Sequence, residues 1–441
     1  MKRLPPLSRR RFLTQVARCG GLLTGACALG LEPGWLERLL GDGSGTARAA
    51  VSLEQLIARA PRARYWVSNI GGGTSGAGDL ASCLACHDAA DVGAADADGD
   101  RGGGASASAR ALAHQHTEPV IKCLLCARGC LLADGERGQC RARIHVAGEL
   151  RTLVYGRPIS VHVDPIEKKP FFHFLPGRQA FSLATSGCPL RCKFCQNWEI
   201  SQSRPEDYES PGVGPGQIVG AALRRQAPII AYTYNEPTVF TEYLTDIARE
   251  ARPQGLRSVL VSCGFMTEAP LTEMCQVLDA IKIDLKGFSP AFYRDVCGAE
   301  LAPVLRSIEQ VRRSGVHLEI VNLVVPTLND SDAMLEALAD WVVGELGPDV
   351  PVHFTRFHPD YQMRHLSPTP IATLERARDL AMARGMHYAY VGNVPGHPGN
   401  HTDCPRCGAR VITRRGFLVE SIDLEDGHCG SCGAAIAGVW Q

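Results

Sequence analysis

The chain has 441 residues, enough to bury a substantial core and to divide into about two to three domains. Its 46 basic and 46 acidic residues cancel, which excludes a global nucleic-acid or anionic-membrane footprint, and no nucleic-acid partner is expected. Eighteen cysteines are too many for an ordinary cytosolic protein; eleven fall in three short clusters, which favours metal binding over disulfides.

In chain order, Ser8-Arg9-Arg10-Arg11-Phe12-Leu13 matches the S-R-R-x-F-L core of a twin-arginine export signal. A weakly apolar stretch from Val16 to Leu31 follows, and Ala47-Arg48-Ala49 offers an A-x-A cleavage site, so residues 1–49 read as a leader. Cys27 after Thr24-Gly25-Ala26 is a poor lipoprotein match, and no other 18-residue uncharged apolar run is present. Residues 50–118 are expected to hold a short helix running into Tyr65-Trp66 and then a flexible Gly/Ala/Asp-rich insertion. Inside it, Cys83-Leu84-Ala85-Cys86-His87 has the C-x-x-C-H pattern of c-type haem attachment, with His87 as axial ligand. The flanks lack the helices and apolar wall that enclose a porphyrin, so a redox, metal or incidental pair is preferred to haem c.

Residues 119–178 form a Cys-rich N-terminal segment. Cys123, Cys126, Cys130 and Cys140 are spaced C-x2-C-x3-C-x9-C, a set that can fill a zinc tetrahedron or bind an accessory cluster. Spacing does not separate those two, and a disulfide framework is the alternative.

From residue 179 to 395, apolar runs alternate with amphipathic stretches. The runs are Ala180 to Ala184, Ile229 to Tyr234, Ser258 to Ser262, Ala280 to Leu285, Leu318 to Val325 and Val352 to Phe357; Tyr388 to Val391 is a further strand or an accessory edge. Regular βα repetition implies an α/β fold with a parallel sheet, here an open partial (β/α)6 barrel with its site at the C-terminal mouth. The first strand runs into Ser186-Gly187-Cys188-Pro189-Leu190-Arg191-Cys192-Lys193-Phe194-Cys195. A cubic iron–sulfur cluster normally takes four thiolates, one per iron. Cys188, Cys192 and Cys195 supply three, and Gln196-Asn197-Trp198 offers no fourth, so one iron stays open to a small molecule. Zinc, by contrast, favours paired C-x2-C arms. Such arms occur at residues 396–441, where Cys404/Cys407 and Cys429/Cys432 flank hairpin-like runs and predict a zinc-ribbon-like tail, with a rubredoxin-type iron site as runner-up.

The C-x3-C-x2-C run resembles the signature of radical S-adenosylmethionine (SAM) enzymes. Further runs carry a closer resemblance: Tyr155-Gly156-Arg157, Asp164 to Pro170, His173-Phe174-Leu175-Pro176-Gly177, Cys195 to Ser201, Thr233 to Thr238, Ile283 to Gly287, Val325 to Asp330, Arg356 to Tyr361 and Gly392 to Gly396. Over roughly residues 120–440 the chain resembles the radical SAM enzymes of the AmmeMemoRadiSam system, relatives of the glycyl-radical-activating enzymes. That resemblance implies a [4Fe-4S] cluster on Cys188, Cys192 and Cys195, shielded by Phe194, whose open iron chelates SAM. One electron from a flavodoxin- or ferredoxin-type donor then cleaves SAM to methionine and a 5′-deoxyadenosyl radical that abstracts hydrogen from the substrate. It also implies that Glu236 accepts the SAM ammonium, with a cap on the following helix as the alternative role. Asp284 and Lys286 close the fourth strand and face the cavity; Arg356, His358 and Tyr361 close the sixth, with His358 either functional or a structural histidine. Ser262-Cys263-Gly264 departs from the Thr-Asn-Gly expected there, removing an asparagine contact to SAM.

Partners implied are a protein substrate or the proteins that name the system. A glycyl-radical-enzyme activase is the first alternative, and an exported iron–sulfur electron-transfer protein the second. The leader favours the periplasm or the outer membrane face; dependence on SAM and low-potential electrons favours the cytoplasm.

Overall fold

The structure, a computed structural model, describes residues 51–68, 120–210 and 212–441. The leader and the Cys83-to-His87 run lie outside the described residues. Helix α1 (Leu53–Arg59) is closed by a capping box in which Ser52 and Gln55 exchange side-chain-to-backbone hydrogen bonds. It stops short of the expected Tyr65-Trp66 because Pro61 biases the residue before it away from helical backbone, and Ala60 is extended. Trp66 instead opens β1 (Trp66–Ser68), which pairs antiparallel with β2 (Ile121–Cys123); β2 pairs in turn with β3 (Leu131–Leu132). A separate hairpin joins β4 (Arg143–Val146) and β5 (Glu149–Thr152). Residues 51–68 therefore fold with the Cys-rich segment through this sheet.

The main sheet has eight strands: β6 (Ser160–Pro165), β7 (Gln179–Ala184), β8 (Ile229–Tyr232), β9 (Arg257–Ser262), β10 (Ala280–Asp284), β11 (His317–Val324), β12 (Val352–Arg356) and β13 (Ala389–Gly392). They lie side by side in chain order; β7 to β13 are parallel, and β6 pairs antiparallel with β7. The run at Tyr388 to Val391 thus supplies an edge strand, and β6 is an edge the apolar runs did not announce. Helices α2 (Pro215–Arg224), α3 (Thr241–Ala251), α4 (Glu268–Val277), α5 (Leu301–Ser314), α6 (Asp332–Trp341) and α7 (Ile371–Ala383) connect the parallel strands. Crossovers of one hand between sequential strands place these helices on a single face.

Period-two alternation sorts the strand residues. Phe181, Leu183, Ile230, Leu260, Ile281, Ile283, Ile320 and Phe354 join the large core beneath the helices. The other face carries Ala180, Ile229, Ala231, Val259 and Ala280, closed by Phe171 and Phe174. Further along the same face come buried Ser182, Lys282 and Glu319, so the apolar floor gives way to a polar interior toward the strand C-termini.

The C-terminal tail contains β14 (Thr402–Asp403), β15 (Arg410–Arg415), β16 (Leu418–Ile422), β17 (Leu424–Glu425) and β18 (His428–Cys429). It is locked to the main sheet by His173 and Leu175: Val439 N donates to His173 O and Leu175 N to Val439 O, each at 2.7 Å. Buried Arg414 donates to Phe172 O at 2.7 Å, and its guanidinium lies 4.2 Å above the Phe172 ring. Behind them Glu319 accepts from Phe172 N, His173 N, His317 and His353; burial pushes its carboxyl up, but the two histidines hold it well below its ordinary range. Among the described residues no helix is long and apolar enough to cross a membrane.

Candidate active site

The three-thiol loop leaves the C-terminal end of β7 and is held from several sides. Gly187 has φ +96°, and a Cβ there would overlap the Cys140 carbonyl oxygen, so glycine is required for both reasons. Asn235, beyond β8, donates to Gly187 O at 2.9 Å and to Thr185 Oγ1 at 3.3 Å. Arg191 N donates to Cys297 O and Lys193 N to Val296 O, both at 2.9 Å, laying the loop along the segment that precedes α5. Cys192 is buried, Cys188 and Cys195 half-buried. Burial raises the Cys188 thiol well above its usual value, with the Glu236 carboxylate and Cys192 adding to it; such thiols are deprotonated when they take up iron. Around this loop Ser186 Oγ, Asn235 Oδ1 and His358 Nδ1 are buried without a hydrogen-bond partner among the described residues. Orphaned polar atoms at three strand ends beside three thiols suit a polar ligand bound next to a cluster.

Tyr234 takes φ +72°, which is costly for a bulky side chain. Asn197 clamps its carbonyl at 2.9 Å, while Tyr234 Oη donates to Asp164 at 2.9 Å and receives Lys169 at 3.2 Å. This explains why the Asp164-to-Lys169 and Cys195-to-Trp198 runs occur together with Tyr234-Asn235-Glu236-Pro237. Glu236 is buried and its carboxylate is already engaged. Oε1 accepts from Thr238 N (3.1 Å), Thr238 Oγ1 (2.6 Å) and Ser262 Oγ (2.7 Å), and Oε2 from Cys263 N (2.7 Å). It caps the turn Pro237–Phe240 and ties the β8 end to the β9 end.

At the end of β10, Asp284 pairs with Lys282 and, at 3.2 Å, with Lys286. Burial pushes its carboxyl up, but the two ammonium groups bring it down to about 2. Lys286 is pulled upward by Asp284 and the Cys192, Cys263 and Cys297 thiols in spite of burial, and stays charged. Its Nζ lies 5.7 Å from the centroid of the Phe194 ring, which stacks on Phe292 at 6.3 Å. Phe194 and Lys286 thus meet beside Cys192, with Asp284 one step behind. Two further thiols lie beside this group: Cys297, which the sequence did not single out, and Cys263, marked there only as a departure from Thr-Asn-Gly. Cys297 lies beside Cys192, and Cys263 lies near Cys188 and Glu236. Neither has a second cysteine at ligand spacing, so no local pattern could have announced them.

After β12, Arg356 Nε donates to Thr369 O at 2.8 Å, and Tyr361 stacks on Trp198 at 5.2 Å with an interplanar angle of 11°. Gln362 N donates to Lys193 O at 3.0 Å, so this loop flanks the cysteine loop.

In the tail, Cys404, Cys407, Cys429 and Cys432 have all four sulfurs within 4.8 Å of one another. Cys404–Cys432 and Cys407–Cys429 are 3.6 and 3.8 Å apart. A metal bound by thiolates at about 2.3 Å in a tetrahedron requires sulfurs about 3.8 Å apart. Each pair sits on a tight knuckle, with Gly408 N donating to Cys404 O at 2.9 Å and Gly433 N to Cys429 O at 2.8 Å. The N-terminal cysteines are also gathered: Cys123, Cys126 and Cys140 are buried and Cys130 is half-buried.

Residues 182–342 match the Radical SAM superfamily. The chain is 43% identical over 318 residues to an uncharacterized protein of Methanocaldococcus jannaschii, covering 72% of this chain and 95% of that protein. It is 23% identical over 220 residues to the benzylsuccinate synthase activating enzyme of Thauera aromatica, covering 35% of this chain and 66% of that one. It is likewise 23% identical over 163 residues to the pyruvate formate-lyase-activating enzyme of Clostridium pasteurianum, covering 35% and 65%. A cysteine loop at the mouth of a parallel sheet, matched over its whole neighbourhood, carries the assignment: the chain belongs to the radical SAM superfamily and is related to the pyruvate formate-lyase activating enzymes.

Proposed function

We propose that this chain is a hydrogen-abstracting enzyme of the AmmeMemoRadiSam type. When bound, the cluster and SAM supply one-electron cleavage of a carbon–sulfur bond and the resulting 5′-deoxyadenosyl radical. The chain's own residues do the rest. Cys188, Cys192 and Cys195 provide three thiolates, and Phe194 covers them on the side of Lys286. Ser186, Asn235 and His358 offer unpaired polar atoms for the SAM polar groups. Glu236 holds the β8 and β9 ends in register, and its Oε2, with one donor, is the atom left to meet an ammonium. In this reading the sequentially ordered sheet curls as a partial barrel, the tail is a zinc ribbon, and the twin-arginine leader routes the protein to export.

The single observation that carries the proposal is the C-x3-C-x2-C loop at the C-terminal end of β7, where parallel α/β sheets place their sites. Protein reconstituted anaerobically should release 5′-deoxyadenosine from SAM with a strong reductant, and Cys192→Ala should abolish both that release and the iron–sulfur absorbance of this site. Cluster-loaded protein that releases none would remove the enzyme reading. A glycyl-radical activase is the second reading, favoured by the two activating enzymes among its relatives. It is separated by electron paramagnetic resonance: a glycyl radical formed on a glycyl radical enzyme supplied as partner supports it.

A further inference from the structure

We propose that Cys123, Cys126, Cys130 and Cys140 hold a second, fully thiolate-ligated [4Fe-4S] cluster that passes electrons to the cluster on the Cys188 loop. The four thiols face one another: each of the six pairs interacts electrostatically, and Cys130 and Cys140 both approach the position of a Cβ on Gly138, at 3.8 and 3.7 Å. Two four-cysteine groups in one molecule then allow a direct comparison. The tail group has closed to the sulfur spacing of a single tetrahedral ion. Among the described residues it alone brings three or more ligand atoms within 4.8 Å of one another. The N-terminal four remain wider, as do Cys188, Cys192 and Cys195. In a cubic cluster each thiolate binds a different iron, so its sulfurs stand further apart than around one zinc. The wide set with four thiols is therefore a cluster site without an open iron.

Its position gives it a task. The Cys140 carbonyl abuts Gly187, the residue before Cys188. Arg128 donates to Pro189 O at 3.0 Å and also to Gly298 O, and Arg191 reaches back to Gln139 O. On the other side, Cys126 bridges to Met266, and Thr267 N donates to Leu125 O at 3.3 Å, so the cage sits against the end of β9. The buried Arg143 guanidinium, paired with Glu242, also faces Cys123 and Cys140. One electron enters from a flavodoxin- or ferredoxin-type donor, reduces the cage cluster, and moves to the SAM-site cluster. The donor is oxidised by one electron, the cage cluster returns to its starting state, and no bond forms or breaks. The relay rests on the radical SAM reading; the presence of the cluster does not.

The test uses the full chain with Cys188→Ala, Cys192→Ala and Cys195→Ala together, reconstituted anaerobically with iron and sulfide. It should retain about four irons and four sulfides, as one cubic cluster requires, with a reduced-state resonance that SAM does not change. Zinc in place of iron, or no metal beyond the tail, overturns the proposal. A Cys126→Ala/Cys140→Ala chain should lose those irons, keep its tail metal, and lose 5′-deoxyadenosine formation with ferredoxin while keeping it with dithionite. Unchanged rates with both donors overturn the relay. If that chain loses its tail metal and so its fold, Gly138→Val, which crowds the cage without removing a thiol, is read the same way. Should the radical SAM reading alone be wrong, native protein yields no 5′-deoxyadenosine with either donor while the triple variant still carries its cluster.

Discussion

Gly187→Ala tests whether the two cysteine loops are built against each other. At φ +96° an alanine costs about 1–2 kcal/mol in backbone strain. Its Cβ would also fall inside the Cys140 carbonyl oxygen, well short of the about 3.3 Å of even a close C–H···O contact, with Ala142 Cβ at 3.5 Å blocking retreat. Relief requires the Cys140 backbone or the Cys188 loop to move, an overpacking cost of about 1–3 kcal/mol. Gly135→Ala is the matched control: its φ is +78°, but nothing lies within 4 Å, so only the strain applies. The two variants should therefore differ by about 1–3 kcal/mol, or roughly 2–12 °C in Tm for a large domain. Differential scanning calorimetry on both, with iron content measured in parallel, checks this. Gly187→Ala should lose iron at both loops and Gly135→Ala at neither. Equal melting and full iron in Gly187→Ala would refute the contact.

Glu242→Gln leaves the buried Arg143 guanidinium, 2.7 Å from Glu242 Oε1, without its counter-ion, and should cost about 3–5 kcal/mol in chemical denaturation. Arg143→Met combined with Glu242→Leu should recover much of that loss. Cys404→Ser with Cys429→Ser should remove one metal equivalent by mass spectrometry and lower the melting temperature, since both cysteines also pack against Phe172 and Tyr390. Asp284 is held at about 2, below its ordinary 3.8, so its pairing contributes stability above about pH 4 that is lost as pH falls through about 2. Asp284→Asn should flatten that acid limb in tryptophan-fluorescence unfolding of the metal-free chain. Arg9→Lys with Arg10→Lys should keep native protein in the cytoplasmic fraction if the leader acts as an export signal.

The parts read most directly from sequence were those whose signal is local. C-x3-C-x2-C and the paired C-x2-C arms declare their chemistry within a few residues, and apolar runs of four to eight residues mark the parallel strands. Ser160–Pro165 was invisible as a strand because its partner lies beyond the intervening turn and its Ser-Val-His-Val alternation is short. Helix α1 was read too far because the stop imposed by Pro61 was outweighed by the aromatic pair beyond it. His173 belongs to a run quoted for its resemblance, yet its work is structural. It joins Ala437 O at 2.5 Å to Tyr390 Oη at 2.6 Å, and burial keeps it neutral, down at about 3.

The Ser262-Cys263-Gly264 departure gains a physical account from the same contacts. Ser262 Oγ donates to Glu236 and accepts from Gly264 N at 3.0 Å, so the serine carries the link between the β8 and β9 ends through a short hydroxyl. The Cys263 backbone N–H completes the hold on Glu236, and its side chain lies against the same carboxylate. That side chain is a buried thiol beside Cys188, a weak donor where an asparagine would offer both a donor and an acceptor. A polar ligand bound here would instead meet atoms still unpaired nearby, Asn235 Oδ1 and Ser186 Oγ among them. The β8 end carries an asparagine of its own, Asn235, whose amide nitrogen is committed to Gly187 and whose oxygen is not.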